Sequence, residues 1–185
     1  MSGDLMKLHW HNRDKPMRLL VLDLDGTVRH GYSELGRFVN EAKDVIVFPE
    51  AVTLMRAWKD AGGRILAVSN QGGVALGHVS ERAVAEAVME THRQAGSLFD
   101  RIQVCMHHPD AKDPEMARCW CRKPAPGLLI EGALDLARQH GEYYPPHLGL
   151  FVGDRPEDEE CARIAGFDFQ WAAEWRARAS EQEVR

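Results

Sequence analysis

With 185 residues, 44% of them hydrophobic and 28% charged, the chain has a globular balance and enough length to bury a core without staples, which argues against disorder. A formal net charge of −5 excludes the global basic field of a nucleic-acid binder and leaves only a local groove open to such a ligand. No run approaches the ~18 apolar residues of a membrane span, and residues 1–16 lack the apolar middle of a signal peptide, so a cytoplasmic protein is expected, with one domain over 1–185.

The expected elements alternate along the chain. RLLVLDLDGT (18–27) is a nearly continuous apolar run ending in acids and a Gly-Thr turn, the pattern of a strand buried on both faces. Pro49 can open the next helix, Val52, Met55 and Trp58 give it an apolar stripe, and Gly62 and Gly63 close it. RILAVSN (64–70) is a second strand, Ser80 can cap the helix that follows, and RIQVCM (101–106) is a third strand. A helix from Pro126 to about Gln139, the strand LGLFVGD, the helix PEDEECARIAG, the short strand FDFQW and a polar helical tail complete the chain. The tail's Trp171 and Trp175, four apart, read as core packing or as a partner-docking face. This alternation predicts an α/β, Rossmann-like three-layer sandwich around a parallel sheet, with right-handed crossovers. Only about twenty residues separate Asp25 from the next helix, so an essentially capless site is expected.

In such a sheet, ligands sit beyond the carboxyl ends of the strands. The first strand delivers Asp23 and Asp25 there, the second Ser69 and Asn70, and the fourth Asp154, with Arg122 and Lys123 following the third. A strand-end aspartate alone is most often a turn former. Several acids meeting at one rim repel unless a divalent cation lies between them, and magnesium, with its preference for oxygen, suits few carboxylates plus a phosphate. Lys123 and the Ser69 hydroxyl are placed to hold phosphate oxygens, and the Gly26-Thr27 turn to aim amides at an anion.

A second cluster lies in CMHHPDAKDPEMARCWCRKP (105–124), which holds three of the chain's four cysteines. Cys105, Cys119 and Cys121 with His107 or the adjacent His108 make four ligands in two close pairs, enough to close a tetrahedral zinc site. Cys161, at apolar spacing in a helix, reads as a core residue.

DLDGT (23–27), the strand-end SN (69, 70), the Lys123 region and GDRPED (153–158) resemble, as an ordered set, the four motifs of the haloacid dehalogenase superfamily of phosphohydrolases. The resemblance implies that Asp23 attacks phosphorus to form an aspartyl-phosphate and that Asp25 protonates the leaving group and then deprotonates water. It implies magnesium on the Asp23 carboxylate, the Asp25 carbonyl and Asp154, and phosphate or substrate contacts at Thr27, Ser69, Asn70, Arg122 and Lys123. Asp158 reads equally as support for that site or as an exposed helix carboxylate.

CMHHP followed by CWCRKPAPGLL is similar to the zinc loop of the heptose 1,7-bisphosphate 7-phosphatases and histidinol-phosphate phosphatases, where the first histidine is the ligand; this implies His107. The doubled His-Pro, the long spacing before Cys119 and SNQGGVALG resemble the heptose group more closely. The chain departs from that group in having Leu24 between the two aspartates and VRHGY after them. The resemblance therefore implies structural zinc, catalytic magnesium and a small phosphorylated metabolite, most simply a sugar bisphosphate, hydrolysed by a monomer without nucleic acid or membrane. Histidinol phosphate, a polynucleotide 3'-phosphate and a zinc-stapled binding module without turnover stand as alternatives.

Overall fold

The computed structural model describes residues 17–182; the expectation about the first sixteen residues lies outside them. The first strand, β1 (Leu19–Leu22), is buried at every position, as its unbroken apolar run requires. It is shorter than the run because the chain turns at Asp23, and Gly26 adopts φ +84°, a left-handed conformation that favours glycine. A one-turn helix α1 (Tyr32–Leu35) and then α2 (Pro49–Asp60) follow, leading to β2 (Arg64–Asn70). Helix α2 begins on its proline, but its buried face is Ala51, Leu54 and Met55. Val52 and Trp58 are only half-buried, and the Trp58 indole instead donates to the Arg64 carbonyl at 3.1 Å.

Ser80 caps α3 (Glu81–Gln94), its hydroxyl accepting from the Ala83 amide at 3.2 Å. There follow β3 (Arg101–Cys105), a one-turn helix α4 (Pro114–Ala117), α5 (Gly127–His140), β4 (Leu150–Gly153), α6 (Pro156–Ala165) and β5 (Asp168–Trp171). Two short helices, α7 (Ala172–Ala177) and α8 (Ala179–Gln182), end the described chain.

All five strands are parallel, in the order β3-β2-β1-β4-β5. Alternate residues of β1 feed the two cores. Leu20 and Leu22 pack with Met55, Ile65, Val84 and Trp175 on one face, and Leu19 and Val21 pack with Leu66, Leu129, Leu136 and Phe151 on the other. Helices therefore cover both faces, as the alternation predicts. Among the described residues, no helix is long and apolar enough to cross a membrane.

The tail corrects one expectation. It is helical but not wholly polar, since Ala172, Trp175 and Ala179 are buried in the first core. Trp175 is only 4% exposed and so does not belong to a docking face, while Trp171 packs edge-on against Phe169 at 4.9 Å.

The chain runs from β1 through β2 to β3 on one side of the sheet and then crosses to β4 and β5 on the other, so the switch point lies between β1 and β4. At such a switch point the crossovers diverge and leave a crevice at the carboxyl ends of the strands. Asp23 follows β1 there and Asp154 follows β4.

Candidate active site

At that crevice the carboxylates of Asp23, Asp154 and Asp158 place oxygens within 4.8 Å of one another. Lys123 lies among them, its Nζ 2.5 Å from Asp23 Oδ1 and 2.7 Å from Asp158 Oδ1, and it also donates to the Val68 carbonyl at 3.2 Å. Two glycines admit this crowding. A Cβ on Gly26 would fall 2.1 Å from Asp154 Oδ2, and one on Gly153 would fall 2.4 Å from Asp158 Cβ.

Asp158 is wholly buried, so of its two readings the structure selects support for the cluster over an exposed helix carboxylate. Its second oxygen accepts the Arg155 amide at 3.1 Å, which fixes it at the start of α6. Burial, followed by the Asp158 and Asp25 charges, raises the Asp23 carboxyl to about 8 against the pull of Lys123. Desolvation and then Asp158 push Asp154 up to about 6. Lys123 shifts upward too: burial opposes its charge, but Asp23 and Asp158 outweigh it. Three carboxylates around one ammonium leave an excess of negative charge on hard oxygen donors, which suits a small divalent cation such as magnesium.

Asp25 faces the same space but is held from behind. Arg29, wholly buried, donates from Nε to Asp25 Oδ1 at 2.8 Å and from Nη2 to Oδ2 at 3.1 Å. Its remaining nitrogen reaches Thr91 Oγ1 at 2.9 Å and the Ala87 carbonyl at 3.4 Å on α3. Gln71 adds a third hold, donating from Nε2 to Asp25 Oδ2 at 2.9 Å and to Ser69 Oγ at 2.8 Å. Asp25 thus sits in a forked guanidinium that fixes the plane of its carboxylate. Arg29→Gln is expected to lower unfolding stability in urea by about 3 kcal/mol, the scale for breaking a buried ion pair, and to lower kcat as Asp25 loses its fixed orientation. Unchanged kcat would show that the fork is structural only.

The Cys/His cluster assembles as the spacing predicts. Cys105 Sγ lies 3.6 Å from His107 Nδ1, 3.7 Å from Cys119 Sγ and 3.2 Å from Cys121 Sγ, and Cys121 Sγ is 3.4 Å from His107 Nδ1. A tetrahedral zinc with Zn–S of ~2.3 Å and Zn–N of ~2.0 Å sets the S···S and S···N separations at about 3.8 and 3.5 Å, so the four donors stand close to a zinc cage. His107 is the histidine that faces the sulfurs, and His108 turns the other way, its Nδ1 accepting the Asp110 amide at 3.1 Å. Burial raises the Cys105 thiol and, with the neighbouring sulfurs, raises Cys121. Burial would also raise Cys119, but the Arg122 amide and the neighbouring thiols hold it below the ordinary range. Cys161 is buried against the Ala125 carbonyl, a core residue as expected.

A cavity of about 450 Å³ opens above the carboxylates, and Asp23, Asp25, Lys123 and Asp158 line one end of it. Among the described residues no inserted domain covers it. Its walls come from residues 32–40, residues 69–79, the zinc loop and the start of α6.

Most of the expected residues converge, but three do different work. Thr27 is wholly buried, does not line the cavity and leaves Oγ1 without a hydrogen-bond partner. The amides of Gly26 and Thr27 do not face an anion, being spent on the Arg29 and Leu24 carbonyls at 2.8 and 3.3 Å. Asn70 reaches the wall, yet its side chain pairs twice with the Lys123 backbone at 3.0 Å, so it positions the lysine. Arg122 lines the cavity while one guanidinium nitrogen braces the His107 carbonyl at 3.1 Å. Sequence reasoning missed Arg29 and Gln71, and it weighed His108 only as a metal ligand, whereas that residue lines the cavity. Gln71 had a signal, being next to the strand-end Ser69-Asn70.

Models of known protein families give no match to the chain. Individual proteins do match. The chain is 31% identical over 153 residues to the D-glycero-D-manno-heptose-1,7-bisphosphate 7-phosphatase of Chlorobaculum tepidum, covering 80% of this chain and 75% of that one. It is 32% identical over 152 residues to the D-glycero-beta-D-manno-heptose-1,7-bisphosphate 7-phosphatase of Yersinia pestis, covering 79% and 74%. Among solved structures, the D,D-heptose 1,7-bisphosphate phosphatase of B. bronchiseptica, complexed with magnesium and phosphate, superposes with a TM-score of 0.66 at 27% identity, covering 83% of this chain and 79% of that one.

Proposed function

Because the chain belongs to the D-glycero-D-manno-heptose-1,7-bisphosphate 7-phosphatase family of haloacid-dehalogenase-like phosphatases, we propose that it hydrolyses one phosphoryl ester of a sugar bisphosphate, a heptose 1,7-bisphosphate, through an aspartyl-phosphate. The observation that carries this reading is the buried Asp23–Lys123–Asp158 cluster at the floor of the cavity, with Asp25 beside it.

Asp23 is the nucleophile. Lys123 pins one of its oxygens and leaves the carboxylate one fixed orientation, and the ammonium offsets charge on the phosphoryl group during transfer. As the Asp23 oxygen bonds to phosphorus, the bond to the leaving sugar oxygen breaks, and Asp25 supplies that oxygen's proton. Asp25 then accepts a proton from water as the water oxygen attacks phosphorus, releasing phosphate and restoring Asp23. Asp23, the Asp25 carbonyl and Asp154 would hold magnesium, which when bound supplies a Lewis acid that draws charge from the phosphoryl oxygens. Asp158 and Asn70 position Lys123, one through its ammonium and one through its backbone. Cys105, His107, Cys119 and Cys121 would hold a structural zinc, which ties the backbone leading into Arg122 and Lys123 to the end of β3.

The test is phosphate release across heptose 1,7-bisphosphate, other sugar phosphates, histidinol phosphate and 3'-phosphorylated oligonucleotides at fixed salt. The expected result is the highest kcat/KM for the sugar bisphosphate. A preference for oligonucleotides that falls steeply with salt would replace this reading with nucleic-acid end processing.

A further inference from the structure

Residues 30–48 form a braced segment that nevertheless leaves two large rings uncovered. Glu34 accepts the Gly31 amide at 2.8 Å, Arg37 pairs with buried Asp44, and Asp44 accepts the Glu41 amide at 3.2 Å. His30 stacks on Phe48 at 4.2 Å, and Val39 and Val45 pack against Ala87 of α3. The segment therefore has apolar burial available and uses it for its valines. Tyr32 and Phe38 stay 53% and 63% exposed, their ring centroids 5.0 Å apart and tilted by 42°.

An exposed aromatic residue is ordinary by itself. These two differ in lining the same cavity as Asp23 and Lys123, together with Leu76 and Val79. That cavity also carries the cations Arg122 and Arg155. A ligand that meets all of these has a phosphoryl group for the carboxylate end, an apolar face for the rings, and a second anion for the arginines.

We propose that Tyr32 and Phe38 form the leaving-group subsite and select a ring-shaped leaving group, whose flat C–H or aromatic face covers them, over an open polyol chain. This rests on the phosphatase reading of the same cavity. A chair-form sugar ring gathers its axial hydrogens into an apolar face, whereas an acyclic polyol exposes hydroxyls on every side and gains little from aromatic surface. Because the segment is held from behind, the rings are in place before substrate arrives, and less ordering is needed on binding.

The test compares wild type with Phe38→Ala and Tyr32→Ala on glucose 6-phosphate, sorbitol 6-phosphate and glucose 1,6-bisphosphate, with inorganic phosphate as a competitive inhibitor. Phe38→Ala is expected to raise KM for the two ring substrates about tenfold and for sorbitol 6-phosphate less than twofold. Its kcat and phosphate inhibition constant should hold within twofold, and Phe38→Tyr should restore the ring preference. An equal rise for ring and chain, or no rise, overturns the proposal. If Phe38→Ala damages the site, seen as a changed phosphate inhibition constant, Phe38→Leu keeps the apolar bulk without the flat face and must show the same ring-specific loss. If wild type prefers none of the sugars, the sugar reading fails separately; the subsite is then read from KM for 4-nitrophenyl phosphate against propyl phosphate, where Phe38→Ala must raise only the first.

Discussion

Asp23→Asn is expected to abolish turnover, with a loss on the order of ten-thousand-fold or more, and to remove any acid-stable phosphoryl adduct from quenched reactions. The amide keeps the shape of the side chain but is not a nucleophile. Its effect on stability should run the other way. Burial and the neighbouring carboxylates already oppose the Asp23 charge, and Lys123 keeps Asp158 as a partner, so the urea midpoint should not fall. Activity lost with stability retained would separate a chemical role from a structural one. Asp25→Asn divides the two half-reactions further. It should be slow on sugar phosphates, yet with 4-nitrophenyl phosphate, whose leaving group departs without a proton, the adduct should still form and then persist because no base activates water. Turnover by Asp23→Asn comparable to wild type would rule out the covalent route.

The second large effect is expected at the Cys/His cluster. Purified protein should hold about one zinc per chain, and Cys119→Ser should lose it and unfold at a markedly lower midpoint, because binding to a structural site of this kind is itself folding free energy. Cys119 is the exposed member of the set, so serine there disturbs little besides the metal donor. Cys161→Ser is the control, as a buried thiol outside the cluster whose loss should leave zinc content unchanged. The loss should reach catalysis as well, since Cys121 stands two residues before Lys123. Cys119→Ser with wild-type zinc content and wild-type stability would remove zinc from the account.

How much of this was legible in the sequence follows from the range of the forces involved. Strand β2 and the Ser80 cap are set by neighbours a few residues away, and both were read to the residue. The Cys/His cluster was legible for the same reason, as each pair is two residues apart on one short segment. Arg29 was not. Its environment comes from Asp25 nearby and from Thr91 on another helix, and an arginine in VRHGY carries no local mark of burial. Asp158 sits among Glu157 and Glu159, three acids of similar kind, and only the close approach allowed by Gly153 turns that one inward. Asn70 and Thr27 show the converse. Their motif positions were legible, but one side chain is spent on the Lys123 backbone and the other is buried away from the cavity.

Arg176, on α7, donates to the carbonyls of Gly26 and Thr27 at 2.7 and 2.9 Å, with its guanidinium 4.0 Å above the Phe48 ring. The loop that carries Asp23 and Asp25 is thus clamped by a side chain 150 residues later in the chain. In the order of biosynthesis, the loop is made well before the side chain that clamps it. A nascent chain stopped after β5 would hold every motif residue and still lack that clamp and the Trp175 that fills the core behind it. Loss of phosphatase activity in such a chain would therefore show that the motifs act only once the fold behind them is complete.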